Sequence, residues 1–166
     1  MLGKAVPEER HGFDAVVGNP PYIRIQNLKE FAPREVEFYK RRYVAASKGN
    51  YDIYVVFVER GLGLLNQSGL LGYILPHKFM NAKYGEPLRG LLSAGRHVVD
   101  VVHFGHQQVF ANASTYTCLL FLGRTGREEV GTTQVDELLA WRLSGAAQAG
   151  LMPADRLTSA DWTLST

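Results

Sequence analysis

The sequence contains one cysteine, Cys118, and that cysteine lies inside an apolar run, so no internal disulfide forms and a reduced, cytoplasmic setting fits. Long hydrophobic runs are absent: Gly69 to Pro76 is far short of the ~20 residues a membrane-spanning helix needs. The leader, Met1 to Gly12, is polar and has no signal-peptide core. Neither sign of charge dominates, with 18 Lys and Arg against 16 Asp and Glu, and a net charge of +2 does not argue for nucleic acid unaided. The five histidines lack metal-ligand spacing, with His103 and His106 merely flanking the end of a strand. Glycine-rich nucleotide loops are only imitated. Phe121-Leu122-Gly123-Arg124-Thr125-Gly126 is followed by no helix start and reads as a turn, and Gly61-Leu62-Gly63 has Asn66 where a third glycine would stand.

What is there describes one ordinary folded domain. At 166 residues, 46% hydrophobic and 20% charged, the chain is long enough for a real core and too short for two. Its most informative stretch is Phe13 to Tyr22, FDAVVGNPPY. Phe13, Ala15, Val16 and Val17 form a nearly continuous apolar run ending at Gly18, the pattern of a strand buried on both faces of a parallel sheet. Pro20 and Pro21 then end the ladder, because neither has an N–H and each fixes φ. A rigid corner remains, with free backbone carbonyls, the Asn19 side-chain oxygen and the Tyr22 ring. Such a corner suits a planar amine that offers two N–H groups and a flat face, although Asn-Pro-Pro also occurs as a plain turn.

The Asn19-Pro20-Pro21-Tyr22 tetrad behind this strand resembles the catalytic motif of adenine-N6 DNA methyltransferases dependent on S-adenosylmethionine. The resemblance continues through Asn50 to Arg60, Gly69 to Pro76, Pro87-Leu88-Arg89, Val109-Phe110 and Thr115 to Phe121. That order is similar to the methylase portion of type IIG restriction–modification enzymes and spans about residues 12 to 123. It implies an α/β fold: the C-terminal half of a Rossmann-like class I methyltransferase sheet, with its last strand antiparallel. Residues 1–11 are then a polar leader, and 124–166 a connector towards a target-recognition domain.

Along the chain, Pro33 to Ser47 is expected to be a helix, with Val36, Tyr39 and Tyr43 on one side. Lys40, Arg41 and Arg42 are either its solvated face or a phosphate contact. Asp52 to Asn66 has strand-forming residues and two weakening glycines, yet the resemblance implies a crossover helix. Leu70 to Leu75 is a buried strand, and Tyr84 to Ala94 a helix with Pro87 in its first turn and Gly95 as its stop. His97 to Phe104 and Thr115 to Leu122 are strands, joined by Gly105 to Ser114, which is too long for a tight hairpin. Beyond Gly123 only a weak apolar pattern around Leu138, Leu139, Trp141 and Leu143 is visible.

The resemblance implies methyl transfer to an exocyclic amine. The Asn19 side-chain oxygen and the Pro20 carbonyl would accept its two hydrogens and stabilise the growing positive charge. Tyr22 would stack on a flipped adenine of double-stranded DNA, with Phe110 packing on the base from the loop unless it is a core aromatic. Pro21 and Phe57 match positions that touch the adenine of S-adenosylmethionine; a simple helix-core role for Phe57 is the alternative. The family's glycine-rich cofactor loop and acidic ribose ligand are missing, so the cofactor site is incomplete and the chain reads as a fragment or split subunit. Expected partners are the N-terminal half of the catalytic domain, a target-recognition domain, and a second copy through an exposed edge strand; no membrane is implied. Two alternative functions stand beside this reading: protein-glutamine methylation of the release-factor type, and a catalytically dead remnant that binds DNA or a partner.

Overall fold

The computed structural model describes residues 11–110 and 115–164. Residues 1–10 of the polar leader and residues 111–114, the end of the loop from Gly105 to Ser114, lie outside them. Six strands form one sheet: β1 (Phe13–Gly18), β2 (Leu65–Pro76), β3 (Val98–His103), β4 (Thr117–Gly123), β5 (Glu129–Gln134) and β6 (Gln148–Pro153), in the spatial order β1-β2-β4-β3-β5-β6. β1 runs parallel to β2, while β4 enters antiparallel between β2 and β3. The first four strands therefore have the expected half-sheet arrangement, with the last of them reversed.

The crossover from β1 to β2 carries α1 (Ile25–Phe31), α2 (Pro33–Arg42) and α3 (Tyr54–Leu64). The helix expected from Pro33 ends five residues early, at Arg42, and passes into a 3₁₀ turn over Val44–Ala46. Helix α3 settles the ambiguity in Asp52 to Asn66. It buries Tyr54, Val55, Val56, Val58 and Leu62, and Gly61 is what lets it do so. A Cβ at Gly61 would lie 2.5 Å from Leu71 Cδ1 and 2.7 Å from the Tyr73 hydroxyl, so any larger residue would have to displace these two buried side chains, and glycine permits the close approach of helix to strand without that. Packing of the apolar face outweighs the propensity cost, which is about 1 kcal/mol per glycine. Between β2 and β3, α4 (Glu86–Ala94) has Pro87 in its first turn, buries Leu88 and Leu92, and ends at Gly95.

Two expectations need correction. β1 is not buried on both faces: Val16 packs against the core, whereas the opposite face is uncovered and leaves Phe13 59% and Val17 84% exposed; as expected, β1 is the edge of the sheet and pairs only with β2. The sheet also extends past Leu122. β5 adds parallel to β3, β6 pairs antiparallel to β5, and α5 (Leu138–Ser144) links them. Glu137 caps α5 by accepting from the Leu139 and Ala140 amides.

The tail then folds back on the loop after β2. Arg89, with its side chain 3% exposed, donates from Nη1 to Phe79 O (2.6 Å) and Ala82 O (2.9 Å), from Nε to Ser159 O (3.0 Å) and from Nη2 to Asp161 Oδ1 (3.1 Å). Trp162 packs edge-on to Phe79, and its amide donates to Met80 O. One arginine thus holds in place the segment that leads out of β2.

Candidate active site at the carboxyl ends of the parallel strands

β1 and β2 run in the same direction, so Asn19 and Pro76 leave the sheet on the same side. Asn19 is exposed at this corner, Pro20 is buried, and Pro21 and Tyr22 are half-buried. The Tyr22 hydroxyl donates to Ile74 O (3.2 Å), and its ring stands edge-on to Tyr54 at 6.4 Å between centroids. Burial first, and the neighbouring Cys118 thiol second, push the Tyr22 phenol up to about 12. It therefore stays neutral near pH 7 and acts as a ring and a donor rather than as a base. Burial also pushes the Cys118 thiol up, which leaves it inert as a nucleophile.

Beside the corner lies a cavity of about 340 Å³ whose wall includes Tyr22, Arg24, Asp52, His77, Lys78 and Tyr116. These residues come from four separate segments, held against one another by backbone bonds. Arg24 and Asp52 form an isolated antiparallel bridge, flanked by Ile25 N→Tyr51 O (2.9 Å) and Ile53 N→Ile23 O (2.8 Å). The His77 amide donates to Tyr116 O (3.3 Å), continuing the ladder in which Pro76 faces Thr117. Behind the wall, Tyr84 donates to Asp52 Oδ2 (3.3 Å) and shares a 2.8 Å bond with the Tyr54 hydroxyl.

His77 stacks on His103 with centroids 4.6 Å apart and planes 6° from parallel, and His106 meets Tyr116 edge-on. Burial, followed by the charges of His103 and His106, lowers the pKa of His77; burial is the first cause for His103 as well. The Gly105 amide donates to His103 Nδ1, which fixes that nitrogen as an acceptor. His77 thus lines the cavity as a neutral imidazole, and the parallel His103 ring backs it from β3 without lining the cavity itself.

The residues singled out from the sequence are brought together only in part. Tyr22 lines the cavity; Asn19 and Pro20 border it along the chain without forming its wall. Phe57 projects from α3 and is 39% exposed, so it is not helix core. Phe110 is at the surface, not in the core, and does not line the cavity. The basic run on α2 divides: Lys40 pairs with Glu37, Arg41 donates to Glu37 O, and Arg42 faces a cavity elsewhere. Arg24, Asp52, Lys78 and Tyr116 went unnoticed in the sequence. Tyr116 carried a signal, since an aromatic next to a strand start at the sheet's active end is a natural wall.

A family model for Eco57I restriction-modification methylases matches residues 3–110. The chain is 40% identical over 129 residues to the type II restriction enzyme and methyltransferase RM.Eco57I of Escherichia coli, covering 78% of this chain and 13% of that protein. It is 31% identical over 150 residues to the type II methyltransferase M.PaeR7I of Pseudomonas aeruginosa, covering 86% of this chain and 25% of that protein. Among solved structures it superposes on the type IIG restriction endonuclease BpuSI with TM-score 0.64 at 15% identity, over 92% of this chain and 20% of that one. A class I S-adenosylmethionine-dependent methyltransferase from Listeria monocytogenes superposes with TM-score 0.60 at 14% identity, over 81% of this chain and 40% of that one. The chain has the class I methyltransferase fold over these strands, and it spans an eighth to a quarter of the two curated relatives.

Proposed function

From the premise that this chain belongs to the Eco57I restriction-modification methylase family, we propose that it forms the acceptor side of a site-specific DNA adenine-N6 methyltransferase in a restriction–modification or phage-defence system. The observation that carries the proposal is the corner Asn19-Pro20-Pro21-Tyr22, set at the active end of the sheet with Tyr22 pinned to Ile74 beside an open cavity. Relatives named as type II methyltransferases support DNA over protein glutamine as the acceptor.

An exocyclic amine is a poor nucleophile because its lone pair is delocalised into the ring. If the Asn19 side-chain oxygen and the Pro20 carbonyl each accept one N–H, the nitrogen turns pyramidal and its lone pair points away from both acceptors. The same oxygens stabilise positive charge as it grows on nitrogen. Tyr22 stacks on the flipped base, its hydroxyl engaged with Ile74 so that the ring stays put, and Phe110 closes on the base from the loop. S-adenosylmethionine supplies an electrophilic methyl carried on sulfonium. Pro21 and Phe57, both accessible, fit its adenine ring. Among the described residues no strand precedes β1 to carry a backbone nest for the methionine or an acid for the ribose, so these residues match only one edge of the cofactor. We further propose a cytoplasmic location, residues 12–123 as part of the catalytic domain, and 124–166 as the lead towards a target-recognition domain.

The test is Asn19→Ala in the full-length protein, assayed by methyl incorporation into duplex DNA under single-turnover conditions. Removing one polarising acceptor is expected to slow transfer about a hundred- to thousandfold. An unchanged rate, or methylation of protein glutamine in place of adenine, refutes the proposal.

A further inference from the structure

At the other end of the sheet, where β3 begins and β4 ends, lies a second cavity of about 400 Å³. Its wall holds three guanidinium groups and an imidazole: Arg42 from the end of α2, Arg60 from α3, His97 before β3 and Arg124 after β4. The acidic group in the wall, Glu59, is already committed, accepting from the Val44 amide (3.1 Å) and the Ala45 amide (2.7 Å). Arg124 uses Nη1 on Leu65 O (3.1 Å) and His97 uses Nδ1 on Gly123 O (3.0 Å), which leaves the rest of the Arg124 fork unspent. Arg42 and Arg60 have no ion-pair or hydrogen-bond partner among the described residues.

Three like-charged forks around one concavity repel one another, and their donors gain most from an anion that several of them contact at once. We propose that this cavity is a binding site for a multivalent phosphate-bearing anion, separate from the site at Asn19. Arg60 and Arg42 supply bidentate donors from one wall and Arg124 closes from the other. The volume exceeds that of a single phosphate, so a di- or triphosphate group fits better than inorganic phosphate. Because the two cavities lie at opposite ends of the sheet, an anion held here does not compete with a base at Tyr22.

The probe is tripolyphosphate, titrated into the protein at fixed ionic strength and followed by backbone amide shifts and calorimetry. Shifts are expected to cluster at Arg60, Gly63, His97 and Arg124, and Arg42→Gln with Arg60→Gln is expected to weaken binding at least about tenfold. Lys29→Gln with Arg34→Gln removes the same charge elsewhere on the surface and is expected to leave affinity unchanged. A short duplex DNA serves as the second arm. Duplex shifting the same amides more tightly than tripolyphosphate assigns the phosphate to a nucleic-acid backbone, and the reverse order assigns it to a free polyphosphate. Equal weakening by both double variants, or shifts scattered over the surface, overturns the proposal.

Discussion

Replacing Arg89 with Met keeps the apolar stem and removes every donor that Arg89 supplies to the clamp between the loop after β2 and the tail, leaving the Trp162 amide on Met80 O. Of the three carbonyls left behind, Phe79 O belongs to a fully buried residue, Ala82 O to a half-buried one, and Ser159 O to an exposed one that water can satisfy. A buried carbonyl without a donor costs ~1–3 kcal/mol, and the lost charge-assisted bonds have a similar size each, partly offset because a guanidinium no longer has to be desolvated. The expected net loss is ~2–4 kcal/mol, a large share of the ~5–15 kcal/mol that holds a domain folded. Asp161 is different: its side chain is 66% exposed, so Asp161→Asn is expected to cost under ~1 kcal/mol despite breaking an ion pair. Urea unfolding followed by tryptophan fluorescence reads both, because Trp162 sits against Phe79 in the clamp. A loss below ~0.5 kcal/mol for Arg89→Met, or an equal loss for Asp161→Asn, would show that the carbonyl bonds do not carry the effect.

Acid should weaken the protein through the stacked imidazoles. His77 and His103 have folded-state pKa values below the ordinary 6.5, so the unfolded chain binds their protons first and stability falls as pH drops below about 6.5. Combining His77→Gln with His103→Gln should flatten that dependence in denaturant titrations from pH 7.5 to 5; an unaltered slope would clear the pair of any part in it. Tyr22→Phe removes the bond to Ile74 O and should cost ~0.5–1.5 kcal/mol while preserving most methyl transfer in the full-length protein, whereas Tyr22→Ala should lose most of it. On β1, Phe13, Ala15 and Val17 share one exposed face beside an open edge, so the chain alone should sediment as a dimer or larger, and Val17→Lys should shift it towards monomer. A monomeric parent at tens of micromolar, on the order of common assay concentrations for weak association, would remove the ground for this expectation.

Much of the fold was legible because strand ends are punctuated by local chemistry. Pro20 and Pro76 mark the active end of two parallel strands, and Gly95 marks the end of α4. α3 was legible only through the resemblance and the crossover that two parallel strands require, since its β-branched residues and glycines argue locally for a strand. Gly61 explains the conflict: a residue that weakens the isolated helix is the one its packing requires. Helix α1 was missed because its signal is one pair, Ile25 and Leu28, and it has no side-chain cap. It is held by tertiary contacts instead. β6 offers only Leu151 and Met152 as large apolar residues and exists because β5 presents an edge for it, a long-range condition that no window of sequence contains. β5 was more accessible, as Val130 and Thr132 alternate inward.

The candidate site divides along the same line. The corner at Asn19 is local chemistry, two prolines after a strand, and could be read directly. The cavity wall is a matter of register. Pairing of Pro76 with Thr117 sets Tyr116 opposite His77, and a slip of one residue between β2 and β4 would turn the alternate set of side chains to each face. The Arg24–Asp52 bridge similarly places a cation and a carboxylate in one wall although 27 residues lie between them in the chain. Spacing along the sequence carries neither relation. For that reason spacing alone does not set Tyr116 against Tyr22 in the cavity, while Phe110, assigned to the base by resemblance, stands at the surface within the loop between β3 and β4.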